Sequence, residues 1–288
     1  MPAVGLVPHP DRLGVHELAA KTAAWLAERG VEVRIPAGVA SRAGLGSLGV
    51  SDSEFARRLD LAISIGGDGT MLHTVRLVYP CDVPIVGVNA GRLGYLTTLE
   101  AHELHDMLPM LIESPESEFD ISDRMVLTAE IAMADGTVRE VFALNEIVLE
   151  KVESGRLVEI GVEIHDAHFT TYVADGVIVA TPTGSTAYAF SVRGPIVSPQ
   201  HRCIVVAPVA PHMLFDRTLV LGPDEAVRFE VGSRAVSIAV DGQDGGVLEP
   251  GTRLTCAAAD SPVRIVTKRG RAFHQILRNK FSLPDSGD

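Results

Sequence analysis

Five consecutive residues, Gly66-Gly67-Asp68-Gly69-Thr70, carry the strongest chemical signal in the sequence. They follow an apolar run at 61–65 and open a helical stretch reaching about Val78. Glycines there allow a sharp turn and a close backbone approach to a ligand. Free N–H groups at the positive end of a helix suit an anion. An aspartate in a phosphate loop is repulsive unless it binds a cation or takes a proton. Asp68 therefore points to metal-assisted or base-assisted phosphoryl chemistry. A tight turn with Asp68 as a helix cap is the plainer alternative. Neither a Walker loop nor a Gly-x-Gly-x-x-Gly pattern is present, so standard NTPase and Rossmann sites have no support.

A second stretch, Thr181-Pro182-Thr183-Gly184-Ser185-Thr186-Ala187-Tyr188, places four hydroxyls and a glycine ahead of a short helix. Hydroxyls donate and accept, which suits ribose and carboxamide groups. A capped helix start is the alternative. The third signal is Asn145-Glu146, inside an otherwise apolar β run. Adjacent strand residues face opposite sides unless a bulge turns them together. A carboxylate and an amide can grip a vicinal diol; a solvated strand end is the competing reading. His73, on the first turn after the glycine loop, is either in reach of a phosphate or a surface residue. Arg156, in the turn Ser154-Gly155-Arg156, reads as a surface charge. The other histidines show no metal spacing, and no residue is assigned to a metal.

The elements that must position these groups fall into two kinds. Up to about residue 115, apolar strands at 3–7, 31–35, 61–65 and 84–88 alternate with helices. Val15, Leu18, Ala19, Thr22 and Leu26 mark one helical face, ended by Gly30; another helix spans 103–112. Residues 41–53, rich in Gly and Ser, read as a loop. Such alternation implies a parallel sheet covered on both faces. Beyond Phe119 the pattern is β-type at 125–132, 138–143, 147–150, 158–164, 168–174 and 177–180. It continues at 203–206, 219–221, 227–231, 236–240, 253–257 and 263–267. Asp135-Gly136 and Asp241-Gly242 are hairpin signals. A short helix follows Gly184, and 272–280 can form another. The boundary falls near 114–118, where Glu, Ser and Pro cluster. There is no internal repeat.

Composition bounds what this can be. The chain has 288 residues, 46% apolar and 22% charged, so it is globular and long enough for two domains. Its formal net charge of −12, without a Lys/Arg run, argues against nucleic acid or an anionic membrane as partner. An anionic small substrate would need local cations or a metal. The start of the chain has no basic region and only a short apolar run, and no stretch is long enough to span a membrane. Cys81, Cys203 and Cys256 form neither a disulfide framework nor a zinc pattern. They are expected to be buried small side chains in a reducing cytoplasm.

Together these segments resemble the bacterial NAD kinases, and fairly closely the actinobacterial ones. The matching stretches are Gly66–Thr70, Gly87-Val88-Asn89-Ala90-Gly91-Arg92-Leu93-Gly94-Tyr95-Leu96, Ala143-Leu144-Asn145-Glu146, Ala174-Asp175-Gly176-Val177 and Thr181–Tyr188. Pro211-His212 and Asp241-Gly242-Gln243 resemble later segments of the family. The likeness spans about residues 60–245. The glycine loop alone is shared with diacylglycerol-type lipid kinases and 6-phosphofructokinases; 181–188 is more specific.

The resemblance implies an α/β N-terminal domain with a parallel sheet (1–116) carrying the phosphate loop. It implies a β-rich NAD-binding domain (117–266) and a tail (267–288) returning to the first domain, the NAD kinase/diacylglycerol kinase-like architecture. It further implies NAD bound between the domains, a homodimer or homotetramer, and conversion of NAD to NADP with ATP or polyphosphate and a divalent metal such as Mg²⁺. Carried over, Asp68 resembles the general base near the 2′-hydroxyl of the adenosine ribose. The backbone of Gly66, Gly67, Asp68, Gly69 and Thr70 would hold phosphates, with His73 beside them. Asn145 and Glu146 would grip the ribose diol, and Asp175 an amide or amino group. Thr186, Ala187, Tyr188 and Ser191 would line the dinucleotide pocket. Arg156 and Gln243 match contact positions less closely. His73, Arg92 and Arg193 are the cations available to offset substrate charge.

The sequence departs from the family pattern at Ala90 (usually Leu), Tyr95 (usually Phe), Val192-Arg193-Gly194-Pro195 (commonly Ala-Gly-Gly-Pro) and Arg217-Thr218 (usually Arg-Pro). These leave the base and the ribose grip intact. A lipid or sugar kinase with the same loop, and a non-catalytic NADP(H)-binding paralogue, are the alternatives. The 181–188 and Asn145-Glu146 segments weigh against the first, and retention of Asp68 against the second.

Overall fold

The computed structural model describes residues 2–91, 94–133, 136–270 and 272–284. The chain divides into two compact units, one made of 1–123 with 263–288 and the other of 124–262.

The first unit begins with β1 (Ala3–Pro8), α1 (Leu13–Glu28), β2 (Glu32–Pro36), α2 (Ala37–Arg42), β3 (Gly49–Val50), α3 (Asp52–Phe55) and β4 (Leu61–Gly66). It continues with α4 (Asp68–Val78), β5 (Ile85–Asn89), β6 (Leu99–Glu100), α5 (Leu104–Glu113), α6 (Pro115–Glu118) and β7 (Phe119–Arg124). Every residue of β1, β4 and β5 is buried, as expected of parallel strands covered on both faces. α1 buries Val15, Ala19, Thr22, Ala23 and Leu26, a single face. Gly30, with φ +72°, turns the chain after it.

Residues 41–53 are not the plain loop that their Gly and Ser content indicates. They hold the end of α2, a 3-10 turn (Gly46–Leu48), β3 and the first half of α3. Each piece is too short to show a periodicity. Tertiary packing fixes them instead: Phe55 is fully buried against Gly5, where a β-carbon would collide with its ring.

The second unit contains β8 (Leu127–Ala132), β9 (Val138–Ala143), β10 (Glu146–Lys151), β11 (Val158–Ile164), β12 (Ala167–Ala174) and β13 (Gly176–Ala180). After α7 (Tyr188–Ser191) come β14 (Ile204–Val209), β15 (Leu219–Leu221), β16 (Val227–Val231), β17 (Val236–Val240), β18 (Gln243–Leu248) and β19 (Arg253–Ala258). They form two six-stranded antiparallel sheets, β15-β14-β13-β10-β17-β18 and β12-β11-β16-β19-β8-β9. Ile147, Leu149 and Val179 of the first pack with Ile131, Ile160 and Phe229 of the second. The other face of the first sheet buries Val148, Ile178 and Val205 against Ala189 and Tyr188. Asp241-Gly242 joins β17 to β18 with φ of +47° and +72°, the left-handed pair a tight hairpin needs. Asp135, of the other hairpin signal, lies outside the described residues.

The chain then returns to the first unit as β20 (Val263–Lys268) and α8 (Phe273–Phe281). The sheet order there is β3-β2-β1-β4-β5-β20-β7, with β6 also on β5. The two compact units divide at 123/124 and 262/263, a few residues from the expected 116/117 and 266/267. The change in composition marks the end of strand–helix alternation, not the end of the sheet. β20 buries Val263, Ile265 and Val266 and pairs in parallel with β5. Cys203 and Cys256 are buried as expected, but Cys81 is exposed. Among the described residues no helix is long and apolar enough to cross a membrane.

Candidate active site

In the first unit the glycine loop joins β4 to α4, with Gly67 as the residue before the helix. Asp68 is the first residue of α4. Its carboxylate is held from outside the loop. Oδ2 accepts the Tyr95 N–H and Oδ1 the Leu96 N–H, both at 3.0 Å. Gly94 allows this approach, because a β-carbon there would overlap Oδ1. Gly66 is likewise required by Thr70, whose side chain fills the space beside it. Gly67 and Gly69 differ: a β-carbon on either meets nothing within 4 Å, and neither has a positive φ. The fold itself gives no reason for glycine at those two positions. The open space and the start of an 11-residue helix form a cradle for an anion.

A crevice of about 620 Å³ adjoins this loop, since Ala90, on its wall, donates its N–H to the Gly66 carbonyl. Arg12, Asn89, Glu100 and His102 also line it. Arg12 donates to the Ala90 carbonyl at 2.8 Å and is a cation that the sequence reading missed. His73 lies one turn into α4, half-buried. Burial, then the charge of Arg76, holds its imidazole below the usual histidine range. Arg92 lies outside the described residues.

In the second unit, Asn145 sits in the bend before β10, and Glu146 is the first residue of that strand. Glu146 is no solvated strand end: only 7% of it is exposed. Along β10, Ile147 and Leu149 face the sandwich core, while Glu146, Val148 and Glu150 alternate onto the opposite face. The segment 181–191 lies there. Thr181 donates its hydroxyl to the Leu144 carbonyl at 2.5 Å and its N–H to the Asn145 carbonyl at 2.9 Å. Gly184 packs so tightly on Asn145 that a β-carbon would strike its carbonyl. Ser185 donates to Pro182 and accepts from Val197. Thr186 donates its hydroxyl to the Thr183 carbonyl at 3.3 Å, so three of the four hydroxyls hold the loop itself. Among the described residues the buried Thr183 hydroxyl and Glu146 Oε2 have no hydrogen-bond partner.

The hub of this half is Asp241, read in the sequence only as a turn residue. It is buried, and it accepts N–H bonds from Leu144 (2.8 Å), Asn145 (2.7 Å) and Glu146 (3.1 Å). Burial first, then the Asp241 charge, pushes the Glu146 carboxyl up to about 7; an N–H from Tyr188 opposes this. Tyr188 donates its hydroxyl to Glu150, and burial with that bond pushes its phenol up to about 12. Asp175 pairs with Lys151 at 2.6 Å, and its charge reaches Tyr188.

Thr186 and Ala187 are half-buried at the start of the short helix, and Ser191 is exposed at its end. Gln243 is exposed and opens β18, two residues past Asp241. Arg156 stands apart. It is exposed in a turn and lines a shallow groove with Lys151, Glu153 and Arg234.

Comparison with known proteins agrees with both halves. Residues 4–116 match the ATP-NAD kinase N-terminal domain, and residues 144–268 match the ATP-NAD kinase C-terminal domain. This chain belongs to the NAD kinase family. An NAD kinase of Heliobacterium modesticaldum is 40% identical over 286 residues, covering 98% of this chain and 99% of that one. One from Bordetella parapertussis is 35% identical, with coverage of 97% and 95%. The crystal structure of yeast NADH kinase complexed with NADH superposes with a TM-score of 0.91 at 25% identity, covering 100% of this chain and 89% of that one. An NAD kinase from Archaeoglobus fulgidus in complex with ATP shares the fold, with a TM-score of 0.71 at 24% identity and coverage of 98% of each chain.

Within this family's frame, the described residues contain no group of three or more His, Cys, Asp or Glu able to hold a metal. A phosphate-borne Mg²⁺ needs no such cage, since it keeps water and takes one or two carboxylates. Asp68 suits that arrangement: each of its oxygens accepts one N–H bond, from Tyr95 or Leu96, leaving lone-pair capacity on both.

Proposed function

We propose that this chain transfers a phosphoryl group from ATP to the 2′-hydroxyl of the adenosine ribose of NAD, giving NADP. The observation that carries the reading is the Asp68 carboxylate, fixed by two backbone N–H groups beside glycines that the fold does not require. A hydroxyl nucleophile needs an acceptor for its proton, and a positioned carboxylate is one. The open N–H groups at Gly67 and Gly69 would cradle donor phosphates. Asn145 and Glu146 would hold the ribose diol, with the unpartnered Glu146 Oε2 accepting a hydroxyl proton. Thr183, with its unpartnered hydroxyl, joins the ligand residues of this half. Asp175, Thr186, Ala187, Tyr188, Ser191 and Gln243 would line the dinucleotide. Arg156 is the weakest member of the set, because its described contacts include none of the others.

A divalent cation such as Mg²⁺, when bound, neutralises charge on the triphosphate. The protein's own part is positioning and proton acceptance. A homodimer or homotetramer in the cytoplasm goes with this reading.

The test is product analysis after mixing pure protein with NAD, ATP and Mg²⁺, with the phosphate located by ³¹P NMR. NADP bearing a 2′-phosphate is expected. Tight dinucleotide binding with no product from any donor, polyphosphate included, would select the non-catalytic alternative. The same assay with NADH sets the acceptor preference.

A further inference from the structure

The loop that holds Asp68 is itself gripped from the far end of the chain. Tyr95 and Leu96 supply the two N–H groups on the carboxylate. Two residues on, the Thr98 hydroxyl donates to the Val266 carbonyl of β20 at 2.5 Å. Beyond that, Lys268 pairs with Glu103 at 2.6 Å, and the same glutamate accepts the Glu100 N–H at 2.8 Å. The other end of the returning segment, α8, reaches the same loop. Lys280 Nζ stands 5.1 Å from the centre of the Tyr95 ring, within the range of a cation–π contact. The half-buried residues of α8 are Phe273, Ile276 and Leu277, and Lys280 continues that face at the next turn. None of them is fully buried, so α8 has no deep apolar anchor. The Tyr95 phenol is pushed up by burial and then by the Asp68 charge, so ring and carboxylate share one environment.

We propose that Lys280 is a positioning residue for phosphoryl transfer. Through the ring of Tyr95 it fixes the backbone N–H groups that aim the Asp68 carboxylate, so that α8 completes the active loop. This rests on Asp68 acting as the base.

The geometry separates positioning from direct substrate contact. The N–H donors are backbone and survive any side-chain change at 95 or 280. A cation–π contact at a surface is weak, so its loss changes the population of the correctly aimed loop by a small factor. Lys280→Met keeps the length and removes the charge; it is expected to lower kcat about three- to tenfold, with KM for NAD and ATP unchanged. Lys280→Arg keeps the cation and recovers most of kcat. Tyr95→Leu loses kcat as Lys280→Met does, Tyr95→Phe loses less, and the Lys280→Met/Tyr95→Leu double variant is no worse than either single. Lys21→Met, a comparable charge change on α1 with Lys21 paired to Glu17, is the control.

Amide hydrogen exchange supplies a readout independent of turnover: the Tyr95 and Leu96 amides exchange faster in Lys280→Met than in Lys280→Arg. Unchanged exchange overturns the proposal. So does a raised KM for ATP at constant kcat, which would make Lys280 a phosphate contact. Faster exchange with unaltered kcat, in a protein that Asp68→Asn inactivates, also overturns it. If Asp68→Asn stays active, the base reading fails and with it the catalytic half of the proposal; the exchange data then still decide whether α8 holds the loop.

Discussion

Gly94 lies against the carboxylate of Asp68 so closely that a β-carbon on residue 94 would overlap Oδ1. The glycine is not there for flexibility: its φ is not in the left-handed region. It is there so that the next two N–H groups can reach the carboxylate. Gly94→Ala is therefore expected to misplace Asp68 while leaving β4 and α4 intact. A displacement of about 1 Å at a reacting group costs on the order of 10²-fold in rate. Steady-state kinetics with a circular-dichroism control measures it. Gly67→Ala makes the contrast: it meets no protein atom, so stability is retained and the loss appears as a raised KM for ATP.

Asp68→Asn keeps the size of the side chain but cannot take a proton. A positioned base contributes about 10²–10⁴-fold, so kcat is expected to fall by that order. NAD binding, followed by calorimetry, survives. A variant that kept most of its kcat would reduce Asp68 to a turn-former.

The sequence makes Gly66–Thr70 and Asn145-Glu146 legible because they are local: a glycine loop after an apolar strand, and two polar residues breaking a β run. The parallel strands β1, β4 and β5 are legible because both of their faces are buried, which leaves continuous apolar runs. What holds the site is non-local. Asp241 lies about a hundred residues from Asn145, and Tyr95 nearly thirty from Asp68. No periodicity or spacing links such pairs. β18 escapes notice because Gln243-Asp244-Gly245-Gly246 has no apolar alternation; it is held by its hairpin with β17. The hydroxyl of Thr181 looks free in sequence, because its partner, the Leu144 carbonyl, appears only when the loop folds over β10; that of Ser185 turns back on the Pro182 carbonyl of its own loop.

The buried Glu146 makes stability depend on pH. Its folded carboxyl is pushed up to about 7, against 4.5 for an ordinary glutamate. Below pH 4.5 it is protonated in both states and has no effect. As pH rises from 4.5 to 7 the unfolded chain gives up this proton while the folded one keeps it, so stability falls. Above pH 7 the loss is complete, on the order of 3 kcal/mol. Glu146→Gln removes the penalty: its melting temperature is expected to match the native protein near pH 4.5 and exceed it at pH 8. Its KM for NAD rises at pH 8, because the anionic acceptor for the diol is gone, and changes little near pH 4.5, where Glu146 is already neutral. Equal melting curves at pH 8 would contradict the burial argument.

Asp241→Asn tests the hub. Asp241 Oδ1 takes two N–H groups and Oδ2 a third. An amide offers one acceptor oxygen, so its NH₂ faces at least one buried donor. The cost is about 1–3 kcal/mol, visible in denaturant unfolding. Removing the Asp241 charge also lowers the Glu146 pKa, since that charge is the second cause of its elevation. The pH midpoint for NAD binding therefore moves to lower pH while KM rises. A drop in stability with no midpoint shift would assign Asp241 to the fold alone.

Arg193 stands where the family pattern has glycine, and its backbone explains the preference. It follows α7 with φ +65°, the left-handed region where a β-carbon is strained. Its N–H donates to Phe190, and the N–H of Gly194 to Ala189, so this is a helix end closed by a left-handed residue. The side chain is exposed. A non-glycine residue in this conformation costs about 1–2 kcal/mol. Glycine loses more chain entropy on folding, which returns part of that gain. Arg193→Gly is therefore expected to stabilise the protein slightly, raising the melting temperature by about 2–4 °C, with kcat and both KM values unchanged. Two other outcomes carry distinct meanings. A roughly tenfold rise in the KM of ATP or NAD that grows with salt would place the guanidinium on substrate phosphate. Altered assembly in analytical ultracentrifugation would place it at a subunit contact. Stabilisation without either leaves the family glycine as a backbone requirement that this chain meets at some strain.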